Sequence, residues 1–407
     1  MKIRISTLAK WLLVGAIFLS ENFLYVINKD SYILGFSVQD LGLVLVFLIG
    51  TLYLIVTRES VVDGKYNFAG FIIFGFVLVL MSSIQSNNLY GQPLLLGIRP
   101  QRYVMLWLFC YFPLRKAMLL DHISYEKIEN IIYKFGIIEL ILYIAQFLLG
   151  NRLEIIHAGT NNVYSTTRYY VNTIFLCMLL FLALDKVFKK ERVLFNIILI
   201  VGVLFELIMV GKMRMTSIAV IATITIGVIL WKKGGSLKVF LIVAGIAGLA
   251  MVSQTEVVQS IISTLNGTAN SGINTLGIRE IGRVFYLETL NQHPLLGGGY
   301  INTQFPAAYA ASAVSKGIYW VDNGIFGFAF FFGGLGLFWV LWFIVTFYRR
   351  AYVILKNGTY FFFLLPIYWI ISSMNEAHWY FCNLFVVVIL ICMLEKFMDE
   401  KIMRRRI

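Results

Sequence analysis

Arg279 and Arg283 stand four residues apart, so on a helix they share one face and together could grip a pyrophosphate. Glu280, three residues before Arg283, allows a second account, a surface ion pair worth roughly 0–1 kcal/mol. Arg99, Arg102, Arg168, Lys212 and Arg214 are further cations, placed where apolar segments begin. A helix N-terminus already carries unpaired N–H groups and partial positive charge, so a cation there is unfavourable by roughly 0.3–1 kcal/mol. Any one of these side chains could simply snorkel at an interface. The whole set is a systematic surplus that calls for an anion, and N-terminal N–H groups with guanidinium forks suit phosphate.

Other groups could act on a sugar. Asp322, followed by Asn323 where apolar sequence resumes, could take a proton from a hydroxyl or cap a helix. His293 precedes Pro294 and the run Gly297-Gly298-Gly299 in a helix-ending turn; it could serve as acid or base, although turn histidines are commonly structural. Tyr286, Tyr300, Trp320 and Asn302 offer the flat faces, hydroxyls and amides that hold sugars, and such aromatics also form ordinary interfacial belts. Glu139 and Glu206 lie inside apolar segments, where charge is expensive; a proton-coupled transporter would want them, and a neutral or paired helix contact would also explain them. His157 and His378 stand near aromatic residues without metal spacing. The four cysteines, Cys110, Cys177, Cys382 and Cys392, all fall in apolar runs and read as packing residues. No metal or other cofactor is called for.

These side chains must be positioned by membrane-spanning helices. Of 407 residues, 59% are hydrophobic and only 14% charged, against about a quarter charged in soluble domains. Apolar runs of helical length predict about twelve spans, near 10–28, 38–57, 67–83, 101–114, 131–149, 169–185, 193–210, 215–231, 237–253, 322–347, 359–374 and 379–395. Barrel strands would be shorter and alternate in polarity. The N-terminus resembles a signal peptide but lacks a cleavage site, so it is expected to remain as the first helix. With the N-terminus inside, 24 of the 34 Lys and Arg residues fall on cytoplasmic segments. Both termini are then cytoplasmic and residues 254–320 form one large extracytoplasmic loop. The net charge of +13 is a topology signal distributed between spans, so no nucleic-acid partner is expected. Three regions follow: residues 1–253 with spans one to nine, the loop 254–320, and 321–407 with spans ten to twelve and a basic tail. Within the loop, stripes at Glu256–Leu265 and Ile278–Leu290 predict short amphipathic helices on the outer membrane surface.

Three motifs carry a resemblance to a known superfamily. Gly211-Lys212-Met213-Arg214-Met215-Thr216-Ser217 opens the eighth span. Arg279 and Arg283 precede His293-Pro294-Leu295-Leu296-Gly297-Gly298-Gly299. Asp322-Asn323-Gly324-Ile325-Phe326 leads to Gly334-Leu335-Gly336. In order and spacing these resemble the bacterial O-antigen polymerase and O-antigen ligase superfamily, over residues 200–350. The resemblance implies an all-α, polytopic, GT-C-like enzyme of the bacterial cytoplasmic membrane. It would be a metal-independent glycosyltransferase using undecaprenyl-pyrophosphate-linked oligosaccharides, with membrane lipids, a flippase and a chain-length regulator as partners. Arg214, Arg279 and Arg283 would hold the leaving pyrophosphate. The ligase branch has His where this chain has Asp322, which favours a polymerase of capsule, O-antigen or a related exopolysaccharide, with Asp322 as base. The alternatives are a glycan ligase and a flippase or other transporter. A flippase should show two similar halves and short outer loops, whereas here one loop and one face hold the extra cations.

Overall fold

The computed structural model describes residues 4–231 apart from 29, 30, 34, 61–63, 164 and 165, then 235 and 238, and 275–404 apart from 357, 375, 377 and 380–382. The fold is mostly helical. The helices are α1 (Ile5–Ser20), α2 (Val38–Val56), α3 (Ala69–Tyr90), α4 (Leu94–Ile98), α5 (Arg102–Leu119), α6 (Tyr125–Leu149), α7 (Ile174–Phe188), α8 (Val193–Phe205), α9 (Arg214–Leu230), α10 (Thr275–Gln292), α11 (Pro306–Ala311), α12 (Gly324–Leu355), α13 (Phe361–Ser372) and α14 (Leu384–Arg404). A π turn, Glu206–Val210, continues α8.

The pattern of exposure follows from composition. α7 is apolar on every side and is buried along nearly its whole length, as expected of a helix at the centre of a bundle. α2 and α8 instead expose Leu48, Leu52, Ile55, Leu194, Ile198 and Val201. Apolar faces of this kind are stable against hydrocarbon. α2, α3, α6, α8 with its π turn, and the segment Trp320–Leu355 are each long and apolar enough to cross a membrane. α1, α13 and Met215–Leu230 of α9 are apolar but shorter.

Most expected spans coincide with helices. The first begins earlier than expected and ends at Ser20, followed by a short turn, Asn22–Tyr25, with positive φ angles. The last starts later, at Leu384. The ninth span and the stripe at Glu256–Leu265 lie outside the described residues. The helix expected at 278–290 is α10. Two small antiparallel hairpins were not foreseen: β1 (Tyr32–Ile33) with β2 (Phe36–Ser37), and β3 (Gly159–Val163) with β4 (Thr166–Tyr170). Their strands are too short for hydrophobic periodicity to show. In the second, Asn161 stands opposite Arg168.

Polar contacts lock one end of the bundle. Arg115, fully buried on α5, lies 3.1 Å from Glu395 and 2.8 Å from Asp399 on α14. Tyr111 donates to Glu395 at 3.1 Å, and the Asn67 backbone N–H does so at 2.7 Å. Asp185 of α7 accepts from the first N–H groups of α13, at Tyr360 and Phe361, and pairs with Lys189 at 2.6 Å. Arg102 opens α5 and Arg168 lies on the strand before α7, at the opposite ends of these two helices.

α12 is two helices joined at a break. Gly333 has φ 60° and ψ −156°, outside helical geometry, which frees backbone groups on both sides of it. The loop satisfies them. Gly298 N–H donates to Phe330 O at 2.7 Å, Gly334 N–H to Pro294 O at 2.8 Å and Leu335 N–H to Leu295 O at 3.1 Å, while Ser82 of α3 donates to Phe331 O at 2.9 Å. The glycine run therefore threads between α3 and α12. Gly297 has φ +63°, and a Cβ on it would meet Ala329 O at 2.7 Å. Only glycine combines that backbone angle with so close an approach.

Candidate functional site

α10 lies against α12 through the smallest residue on its inner face. A Cβ on Gly282 would stand 2.8 Å from both Asn323 Nδ2 and Ile318 Cγ2. Gly282 and Tyr286 are buried, and Arg279 and Arg283 flank them half-buried. The i, i+4 pair thus shares the face that meets the start of α12, as the spacing required. The Arg283 guanidinium lies 5.4 Å from the centre of the Phe326 ring, within cation–π range.

Asn323 occupies the N-cap position of α12 without making a side-chain cap bond. Its amide donates to Tyr319 O at 3.2 Å, and its Oδ1 is buried with no hydrogen-bond partner among the described residues. Asp322 precedes it in a single 3₁₀ turn, exposed. The cap position of α12 is thus held by Asn323, with Asp322 in the turn before it. Asp322 is close enough to Tyr286 to help raise the phenol well above its ordinary range, behind burial as the main cause.

A second cationic group forms where α8 gives way to α9. The π turn ends at Gly211, Lys212 adopts φ +47°, and Met213 turns the chain into the new helix. Lys212 is buried. Burial first, and Arg168 second, hold its amine below the ordinary range. Arg168 reaches in from β4 and stacks 4.6 Å over Tyr170; its Nε is buried with no hydrogen-bond partner among the described residues. Two cations held together here favour an incoming anion. Arg214 is the first residue of α9, at the positive end of the helix.

A cavity of about 220 Å³ opens beside α10. Tyr286, Tyr300, Asn302, Ser312, Trp320 and Phe331 contribute to its wall. Tyr300 lies 4.7 Å from Phe331 between ring centres, and its N–H donates to Ser82 O at 3.1 Å. Gln92, fully buried, fixes this wall: its amide donates to Tyr300 O at 2.9 Å and its carbonyl accepts from Asn302 N–H at 2.8 Å. Aromatic faces and a fixed amide are suited to a sugar ring.

The remaining expected residues have other surroundings. Arg102 pairs with Asp40 at 2.8 Å, so its charge is already met. Arg99 is exposed and accepts from Arg102 through its carbonyl; its neighbour Pro100 touches the cavity. His293 follows the end of α10, and its backbone carbonyl accepts from Gly297 N–H at 2.8 Å, forming the turn. Neither Gln92 nor the polar face Ser82, Ser83 and Ser86 of α3 was anticipated. A run of small polar residues in an otherwise apolar helix was the available signal. Also unanticipated is the grouping of Thr216, Ser372, Glu376 and His378. Thr216 donates to Glu376, and Ile325 N–H donates to Ser373 O at 2.7 Å. These bonds tie the first turn of α9 and the first turn of α12 to the same segment. No protein-family model and no curated protein matches this chain.

Proposed function

We propose that the protein is a glycosyltransferase of the cytoplasmic membrane that joins lipid-linked oligosaccharide repeats into a polysaccharide at the outer face. In this reading the chain spans the membrane about twelve times with both termini inside. Arg279, Arg283, Lys212, Arg168 and Arg214 receive the pyrophosphate of a polyprenyl carrier and stabilise the charge that develops as it leaves. The aromatic cavity beside α10 takes the sugar. Asp322 is the rim group able to bind a sugar hydroxyl. The observation that carries the reading is the packing of α10 at Gly282 against Asn323, with Arg283 over Phe326 and Tyr286 of the same helix lining the aromatic cavity. Cations for a leaving group, a carboxylate for a hydroxyl and stacking surfaces for a ring meet on one side of the bundle.

The test is a gel of lipid-linked glycans from a deletion strain complemented with variants. Arg283→Ala should leave single repeats on the carrier and remove long chains; loss of one such charge stabiliser lowers turnover about 10²–10³-fold. Normal ladders in both Arg283→Ala and Arg214→Ala would end the proposal. A transporter is the second reading, favoured by the buried carboxylates Glu21, Glu139 and Glu206, which are fully enclosed within the bundle. It predicts single repeats that remain on the cytoplasmic leaflet in the deletion strain.

A further inference from the structure

His378 and Trp379, between α13 and α14, are buried inside the bundle. The Trp379 ring lies 5.2 Å from Phe343, well along α12, and the His378 ring lies 5.7 Å from Tyr368, itself 5.8 Å from Phe181 in the middle of α7. Non-helical backbone at such a level is tolerated where protein encloses it or where it lines a polar cavity. His378 is 2% exposed. Its Nε2 is 2.5 Å from Ser372 Oγ and 3.2 Å from Glu376 Oε2.

These contacts all fall on one nitrogen of the ring. The Ser372 hydroxyl has Tyr368 O at 2.7 Å to donate to, which leaves its oxygen able to accept from the ring. An ionised Glu376 carboxylate can only accept. With the ring proton on Nε2, facing the carboxylate, Nδ1 presents its lone pair. Nδ1 is buried with no hydrogen-bond partner among the described residues. A histidine kept only for packing would ordinarily have both nitrogens satisfied. Glu376 is itself held, because its other oxygen accepts from Thr216. Tyr368 and Cys177 of α7 lie beside each other next to the ring; Glu376 is the carboxylate in contact with it among the described residues.

An imidazole oriented by a carboxylate on one nitrogen and open on the other is the arrangement of a general base. Its location fits that use. Thr216 belongs to the first turn of α9, just beyond Lys212 and Arg214, and the adjoining Ser373 carbonyl holds Ile325, two residues beyond Asn323. We propose that His378, positioned by Glu376, is the proton acceptor of the transfer, an inference that rests on the glycosyltransferase reading. Nδ1 takes the proton of the acceptor hydroxyl. The oxygen's electron pair forms the new bond to the anomeric carbon. The bond from that carbon to the pyrophosphate oxygen breaks, its pair leaving on the pyrophosphate. His378 then returns its proton to the released pyrophosphate or to water. Asp322, exposed on the rim, orients the sugar and does not take its proton.

The test uses membranes of a deletion strain complemented with full-length variants, supplied with the lipid-linked single repeats that the strain accumulates. At equal protein abundance, His378→Gln and His378→Ala should slow elongation about 10²–10³-fold, and added imidazole should restore part of the His378→Ala loss. Glu376→Gln should slow it about tenfold, with Glu376→Asp recovering most of the rate. If His378→Ala fails to accumulate in the membrane, His378→Gln decides. Wild-type elongation in His378→Gln beside an inactive Arg283→Ala overturns the base assignment and leaves the polymerase reading intact. Wild-type elongation in both removes that reading itself.

Discussion

At the scale of single residues, the site is defined by charges placed where folding alone would not put them. Lys212 is buried facing Arg168, so its charged form is disfavoured in the folded state. The sign of the pH dependence follows. Well below the lowered amine pKa, Lys212 is charged in the folded and unfolded chains alike, and the fold bears the repulsion. As pH rises through the lowered value towards the ordinary 10.5, the folded chain releases its proton first, so the repulsion is relieved and stability rises across that window. Anion affinity falls over the same range. Lys212→Met should remove this pH response and reduce chain elongation. Melting curves of the detergent-solubilised protein across alkaline pH check it; an unchanged pH response in the variant would refute it. Asp322→Asn should cost about tenfold or less in elongation if the carboxylate only orients a sugar. A loss as deep as that of His378→Gln would return the base role to Asp322.

At the scale of elements, the glycine-rich turn after α10 is structural, and its consequence for function is indirect. It supplies the backbone partners that the break at Gly333 in α12 requires, and so holds α10 against α12. Gly297→Ala should therefore destabilise by more than about 1 kcal/mol and lower activity although Arg279 and Arg283 are untouched. Gly358→Ala is the control, since that glycine also has positive φ but nothing within 4 Å of the added carbon. A melt showing equal losses for the two would mean that backbone angle matters and the approach to α12 does not. Gly282→Val should leave helix content unchanged and separate α10 from Asn323, reducing activity with little change in secondary structure by circular dichroism.

At the scale of the whole molecule, the two ends of the bundle are chemically unlike. One end is knitted by ion pairs around Arg115, Glu395 and Asp399. Removing Glu395 leaves Arg115 with Asp399 alone and strands the Tyr111 hydroxyl and the Asn67 N–H, so Glu395→Ala should cost about 1–3 kcal/mol and appear as lost membrane abundance. The other end gathers cations near a cavity. Single cysteines test the proposed sidedness. Cysteine at Lys316 should react with an impermeant maleimide in intact cells, and cysteine at Lys190 only after lysis. The reverse pattern would put the cations in the cytosol and remove the lipid-linked donor from their reach.

Much of this was legible in the chain. Apolar runs of helical length located most of the helices, because the cost of an unpaired backbone group in hydrocarbon leaves few other solutions. The four-residue spacing put Arg279 and Arg283 on one face, because helix geometry is local. The pairing of Arg102 with Asp40, by contrast, joins residues 62 positions apart, and no periodicity reports it. Likewise the role of the glycine run depends on a break in a helix some forty residues later, and the Glu376–His378 pair acquires meaning only when Thr216 and Ser373 fasten it between α9 and α12. Sequence thus determined the segments and the local facing of side chains, which follow from repeat geometry and transfer free energies. Tertiary structure decided which charges are already neutralised and which nitrogen is left open, because those depend on groups brought together from distant parts of the chain.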